Sequence, residues 1–110
     1  MYQIVVPQTI FQFFGEDDVE MIKEMVQIII DTNIQDLKKL DEFYNDENYD
    51  LIKRKCHKAK PSMSYIGAIQ TRKLLESIEE DLENSQSTYE LLKSDLEIIE
   101  KELKEFLNTL

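Results

Sequence analysis

Apolar residues recur every three or four positions along most of this chain, the spacing of one helix face rather than the alternation of a strand. The opening "VVPQTIFQFFG" predicts a short first helix, with Pro7 at its first position and Gly15 just past its end. Ile10, Phe11 and Phe14 form its apolar side. "DDVEMIKEMVQIIIDTNIQDLKKLDEFYND" then contains neither Gly nor Pro, and Val19, Ile22, Val26, Ile29, Leu37 and Leu40 keep helical spacing. One long helix is expected over about residues 17–44, capped by Asp17 and Glu20, with Asn33 as a soft point in its stripe.

"NDENY" reads as a turn, with Asn48 capping the next helix. In that helix Ile52, Cys56, Ala59, Met63 and Ile66 step by four and three, forming a buried seam. Beyond Gly67, Leu74, Leu75, Ile78 and Leu82 mark a further helix that ends in "NSQST". Ser87 and Glu90 have the spacing of a capping box for the last helix, whose stripe is Leu92, Leu96, Ile99, Leu103, Phe106 and Leu110. Four substantial amphipathic helices with short connections predict an all-α chain: an antiparallel four-helix bundle with a short additional N-terminal helix, forming one domain over residues 1–110.

Charge narrows the partners. The formal net charge of −10 opposes nucleic acid and anionic membranes, so neither is expected to be bound. Cys56 is the only cysteine and has no internal disulfide partner, which fits a reducing compartment. No apolar run approaches the roughly 20 residues of a membrane span. The first ten residues lack the basic start and apolar core of a signal peptide. A cytoplasmic protein is expected, with no membrane insertion.

Against this acidic background one window stands apart. Residues 51–75 contain no Asp or Glu, although the chain has 23, and they hold seven of its 13 basic residues. The only histidine, His57, lies in this window, in a stripe offset by one residue from the seam: Lys53, His57, Lys60 and Ser64. That offset places the imidazole beside the core and at least partly exposed. Cationic neighbours disfavour an imidazolium, so His57 is expected to be mostly neutral at pH 7 and to keep a nucleophilic lone pair. The same cations suit an attached dianionic phosphoryl group.

Other chemistry is weaker. Cys56 lies on the apolar seam about 100° around the helix from His57, and reads as a core thiol. The acidic clusters "ESIEEDLE" and "DDVE" read as solvated faces. Arg54 stands where a Glu-x-x-His metal pair needs a carboxylate, so no metal is expected. No phosphate-cradling loop or ATP site is evident.

"HKAKPSMSYIGA" resembles the signature of histidine-containing phosphotransfer (HPt) domains, matched here at His57, Lys60, Ser62, Gly67 and Ala68. The resemblance spans about residues 8–80: an aromatic segment and Gly-x-Asp before a long helix, Asn48 and Tyr49 at the cap, and "LLESIEE" after the glycine. The family's usual glycine four residues after the histidine is replaced by Pro61. Pro61 cannot donate to the His57 carbonyl, so a kink or helix end is expected near residues 58–61.

The resemblance implies a phosphorelay intermediate with no kinase activity of its own. His57 is the phosphoacceptor and Lys60 stabilises the phosphoryl group, with Lys53, Lys58, Ser64 and Gly67 in support. The implied partners are response-regulator receiver domains or a hybrid sensor histidine kinase. The receiver supplies Mg²⁺, and this chain needs no cofactor. Ile10, Phe11 and Met21 are the expected docking residues. The competing readings are a helical adaptor without phosphotransfer, and a degenerate HPt domain that docks receivers without accepting phosphate.

Overall fold

The computed structural model describes residues 2–110, so Met1 of the expected 1–110 domain lies outside the described residues. Among these the chain is helical, without a strand. Helix α1 (Pro7–Phe14) opens on Pro7 and stops at Gly15, whose φ of +87° returns its N–H to the Phe11 carbonyl (2.8 Å).

The long helix expected over 17–44 is instead divided. Helix α2 (Val19–Ile29) is capped by Asp18, whose Oδ1 accepts from the Met21 N–H at 3.0 Å, so the cap falls between Asp17 and Glu20. A π turn covers Ile30–Ile34, then come α3 (Gln35–Lys38) and α4 (Asp41–Asn45). Asn33, the expected soft point, lies in the π turn. Side chains occupy carbonyls around the wider turn: Thr32 donates to Ile28 (2.6 Å) and Gln35 to Ile30 (3.2 Å). The break after α3 is held by Tyr89, whose hydroxyl donates to the Leu37 carbonyl (2.7 Å) and accepts from the Leu40 N–H (3.1 Å). Val19, expected in the core stripe, sits at the surface, while Ile22, Val26, Ile29, Leu37 and Leu40 are buried.

Helix α5 (Tyr49–Tyr65) starts at the Asn48 cap as expected, Oδ1 accepting from the Leu51 N–H at 3.3 Å. It does not end near Pro61. The helix runs through the proline, whose ring lies on the exposed side of α5 and leaves the His57 carbonyl without its helical donor. Meanwhile Met63 and Ile66 anchor the last turn in the core. The seam Ile52, Cys56, Ala59, Met63 and Ile66 is buried throughout.

Gly67, at φ +78°, closes α5: the Ala68 N–H reaches the Met63 carbonyl (2.8 Å) and the Gly67 N–H reaches Ser64 (3.2 Å). A side chain here would collide with Val6, whose Cβ lies 2.6 Å from the position of an added Cβ. Val6 is pinned over this corner by its N–H on the Ile66 carbonyl (2.9 Å).

Helix α6 (Ile69–Glu80) is followed by a 3₁₀ turn (Leu82–Asn84) and α7 (Gln86–Thr109). The Ser87–Glu90 capping box does not form. Ser85 precedes α7, with its hydroxyl shared between the Tyr44 hydroxyl (2.7 Å) and the Leu82 carbonyl (2.8 Å). Leu92, Leu96, Ile99, Leu103 and Phe106 of α7 are buried as the stripe predicts, and α5 packs most extensively on α6, which packs in turn on α7.

Candidate functional site

The faces of α5 divide by helical geometry. Its seam faces the core, Ser62 reaches the π turn by donating to Asn33 Oδ1 (2.6 Å), and Lys60 and Ser64 reach α6. His57 stands on the α6 side of the outer face, with its side chain 75% exposed. The expected solvent-edge imidazole is therefore present.

Its surroundings differ from the all-cationic setting read from the sequence. Glu79, from α6, projects between His57 and Lys60. Oε2 is 3.0 Å from Lys60 Nζ and Oε1 is 3.5 Å from His57 Nδ1. The Glu79 and Lys60 side chains are only 12% and 17% exposed, so this is a largely buried ion pair with an imidazole at its edge. Glu79 Oε1 is buried and has no hydrogen-bond partner. The His57 Nδ1, 3.5 Å away, is the polar atom that faces this oxygen from α5.

The seven basic residues of the window separate into two groups. Arg54 pairs with Asp50 (3.0 Å), Lys55 with Asp36 (3.5 Å), Lys60 with Glu79, and Arg72 with Glu76 (3.8 Å). Lys53, Lys58 and Lys73 are exposed and form no ion pair among the described residues. Lys53, Arg54, His57 and Lys58 line one open groove on the outer face of α5.

The supporting residues take distinct places. Ser64 is one turn beyond Lys60, its hydroxyl committed to Arg72. Gly67 lies at the α5–α6 corner and shapes the turn. The Cys56 thiol is buried beneath the site. Burial pushes its pKa up to about 12, with the Glu79 carboxylate adding to the shift and Lys60 opposing it. That thiol is a core group.

Of the expected docking residues, Ile10 is corrected: it is 0% exposed, because α1 lays it on the core. Phe11 is partly buried, edge-on to Phe106 (5.6 Å). Met21 is exposed. The apolar residues that reach the surface near α5 include Phe13, packed edge-on to Tyr65 at 5.1 Å. Phe13 lies off the Ile10–Phe14 stripe, and that offset was the available signal.

Among the described residues no group of three or more His, Cys, Asp or Glu side chains is placed to hold a metal ion, and no helix is long and apolar enough to cross a membrane. Comparison with protein-family models, curated proteins and solved structures gave no match.

Proposed function

We propose that this chain is a phosphorelay intermediate of the HPt kind, taking a phosphoryl group on His57 from one receiver domain and passing it to another. The supporting observation is the edge-on placement of an exposed imidazole against Glu79, a buried carboxylate pinned by Lys60. In architecture, the segment α2–α4 with α5, α6 and α7 makes an antiparallel four-helix bundle, and α1 is the short added helix.

The chemistry follows from the ring. With Nδ1–H directed at Glu79, the Nε2 lone pair attacks the phosphorus of a receiver's aspartyl phosphate. The Nε2–P bond forms as the acyl P–O bond breaks, and the aspartate leaves as a carboxylate. The positive charge that develops on the ring is balanced by Glu79, as a carboxylate balances an imidazolium in hydrolytic triads. Onward transfer is the reverse step with a second receiver. The receivers, or a hybrid sensor kinase that carries one, supply Mg²⁺ and the acidic pocket. This chain supplies position and charge, the main needs of phosphoryl transfer. Such a protein belongs in the cytoplasm.

The test is incubation with phosphorylated receiver domains and Mg²⁺. An acid-labile, base-stable label is expected on the wild type and none on His57→Gln. A label that survives the substitution rejects the site. If every receiver binds without transferring, the chain is a degenerate docking domain. If none binds, it is a helical adaptor.

A further inference from the structure

The two lysines expected to act alike on the phosphoryl group occupy different electrostatic positions. Lys60 is committed: its ammonium pairs with Glu79 at 3.0 Å, and both side chains are largely buried. To follow a phosphoryl group it would have to leave that carboxylate buried and unpaired, which is strongly unfavourable. Lys53 and Lys58 are exposed, form no ion pair among the described residues, and share the outer groove with His57. Arg54, the fourth residue of that groove, is tied to Asp50.

Helical side chains lean toward the N-terminus, which favours the turn carrying Lys53 and Arg54 as the neighbour of the His57 ring. Its Nδ1 faces Glu79 across the α5–α6 contact. With Nδ1 facing Glu79, Nε2 is the ring nitrogen left for a phosphoryl group, on a residue that also lines the outer groove. We propose that Lys53 and Lys58 hold the phosphoryl oxygens on His57, and that Lys60 is a positioning residue acting on the ring through Glu79. This assignment rests on the relay function proposed above. A lysine ammonium on a flexible stem suits the task, since it meets phosphate as a mobile point charge.

The experiment uses phosphoramidate as a small-molecule donor, so that no receiver is needed. Nε2 attacks phosphorus, the P–N bond breaks, and the departing nitrogen takes a proton from solvent to leave as ammonia. Phosphohistidine is followed by ³¹P NMR, and the imidazole tautomer by ¹⁵N NMR. Lys53→Ala and Lys58→Ala are each expected to slow labelling by about two- to fivefold, the range of an exposed charge interaction, and the double variant by about tenfold. These effects should fade in about 1 M salt, with the tautomer signals unchanged. Lys60→Ala is expected to shift the tautomer signals as Glu79→Gln does. The proposal is overturned if the double variant labels at the wild-type rate, or if Lys60→Ala slows labelling without moving the tautomer. Lysine-dependent labelling by phosphoramidate with no transfer from any receiver would leave this assignment standing and remove the relay. Transfer from receivers with indifference to Lys53 and Lys58 would do the reverse.

Discussion

Glu102 is the strongest single test of how the site is held. It is a nearly buried carboxylate in the middle of α7, and it accepts three backbone N–H groups from the N-terminal segment: Gln3 at 2.5 Å, Ile4 at 2.9 Å and Val5 at 2.9 Å. That segment continues into Val6, which sits on Gly67 at the α5–α6 corner. Burial works to raise the Glu102 pKa, but the donors from Gln3, Val5 and Ile4 outweigh it, and the net shift is downward. Glu102→Gln keeps the shape and one acceptor oxygen while removing the charge and the second acceptor. Hydrogen bonds to charged groups are worth about 1.5–3 kcal/mol each, so a loss of about 2–3 kcal/mol is expected at pH 7. For a chain of this size that lowers the melting temperature by about 8–12 °C. A carboxylate whose folded pKa is depressed contributes fully above its unfolded pKa, near 4.5, and loses that contribution as pH falls through the folded value. Urea unfolding of wild type and Glu102→Gln from pH 7 to pH 3 should therefore show two curves far apart at neutrality that converge in acid. Taking the difference cancels the other carboxylates, Glu100 among them, that also titrate low in the fold. Equal stability at pH 7, or a gap independent of pH, refutes the clamp.

Three further outcomes are expected. Gly67→Ala imposes a left-handed conformation and a contact with Val6 that cannot be accommodated without displacing the N-terminal segment, so urea unfolding should show a loss of about 2–4 kcal/mol. Pro61→Ala restores a donor for the His57 carbonyl inside an intact helix and should raise stability by about 1–2 kcal/mol, the helix gain exceeding the lost restriction of the unfolded chain. Cys56, with its pKa pushed up to about 12, should resist iodoacetamide at pH 8 while the chain is folded and react on unfolding in urea, with mass spectrometry reading the adduct.

Periodicity made the buried seams legible, because the side a residue presents is a local property of its helix. The seam Ile52–Ile66 and the stripe of α7 are buried where spacing puts them, and the one-residue offset of His57 translated directly into exposure. The missing pieces are tertiary. Glu79 looked like part of a solvated acidic face, since nothing in "ESIEE" says which carboxylate meets α5. Counting charges along residues 51–75 could not register a carboxylate delivered by the neighbouring helix. Helix breaks were hidden for a similar reason: Tyr89, far along the chain, satisfies the Leu37 carbonyl and Leu40 N–H at one of them. Pro61 misled in the opposite direction, because a local rule about helix interiors was overridden by solvent on one side and packing on the other.

The meeting of His57 with Glu79 depends on the rotation of two helices about their own axes, and that rotation is set far from the imidazole. A one-residue slip of α6 would turn Glu79 about 100° away from the ring and expose the carboxylate. Three contacts oppose such a slip: the core seating of Leu75 and Ile78, the fixed turn at Gly67, and the Glu102-anchored N-terminal segment that lays Val6 over that turn. Thr71 adds a fourth through its bond to Asp95 of α7 (2.9 Å). His57, Lys60 and Glu79 come from α5 and α6 alone, yet their geometry is borrowed from α7 and the N-terminal segment. A substitution at the α5–α6 corner should therefore disturb the imidazole tautomer before it unfolds the helical core, whereas a change to Lys53 or Lys58 should leave both unchanged.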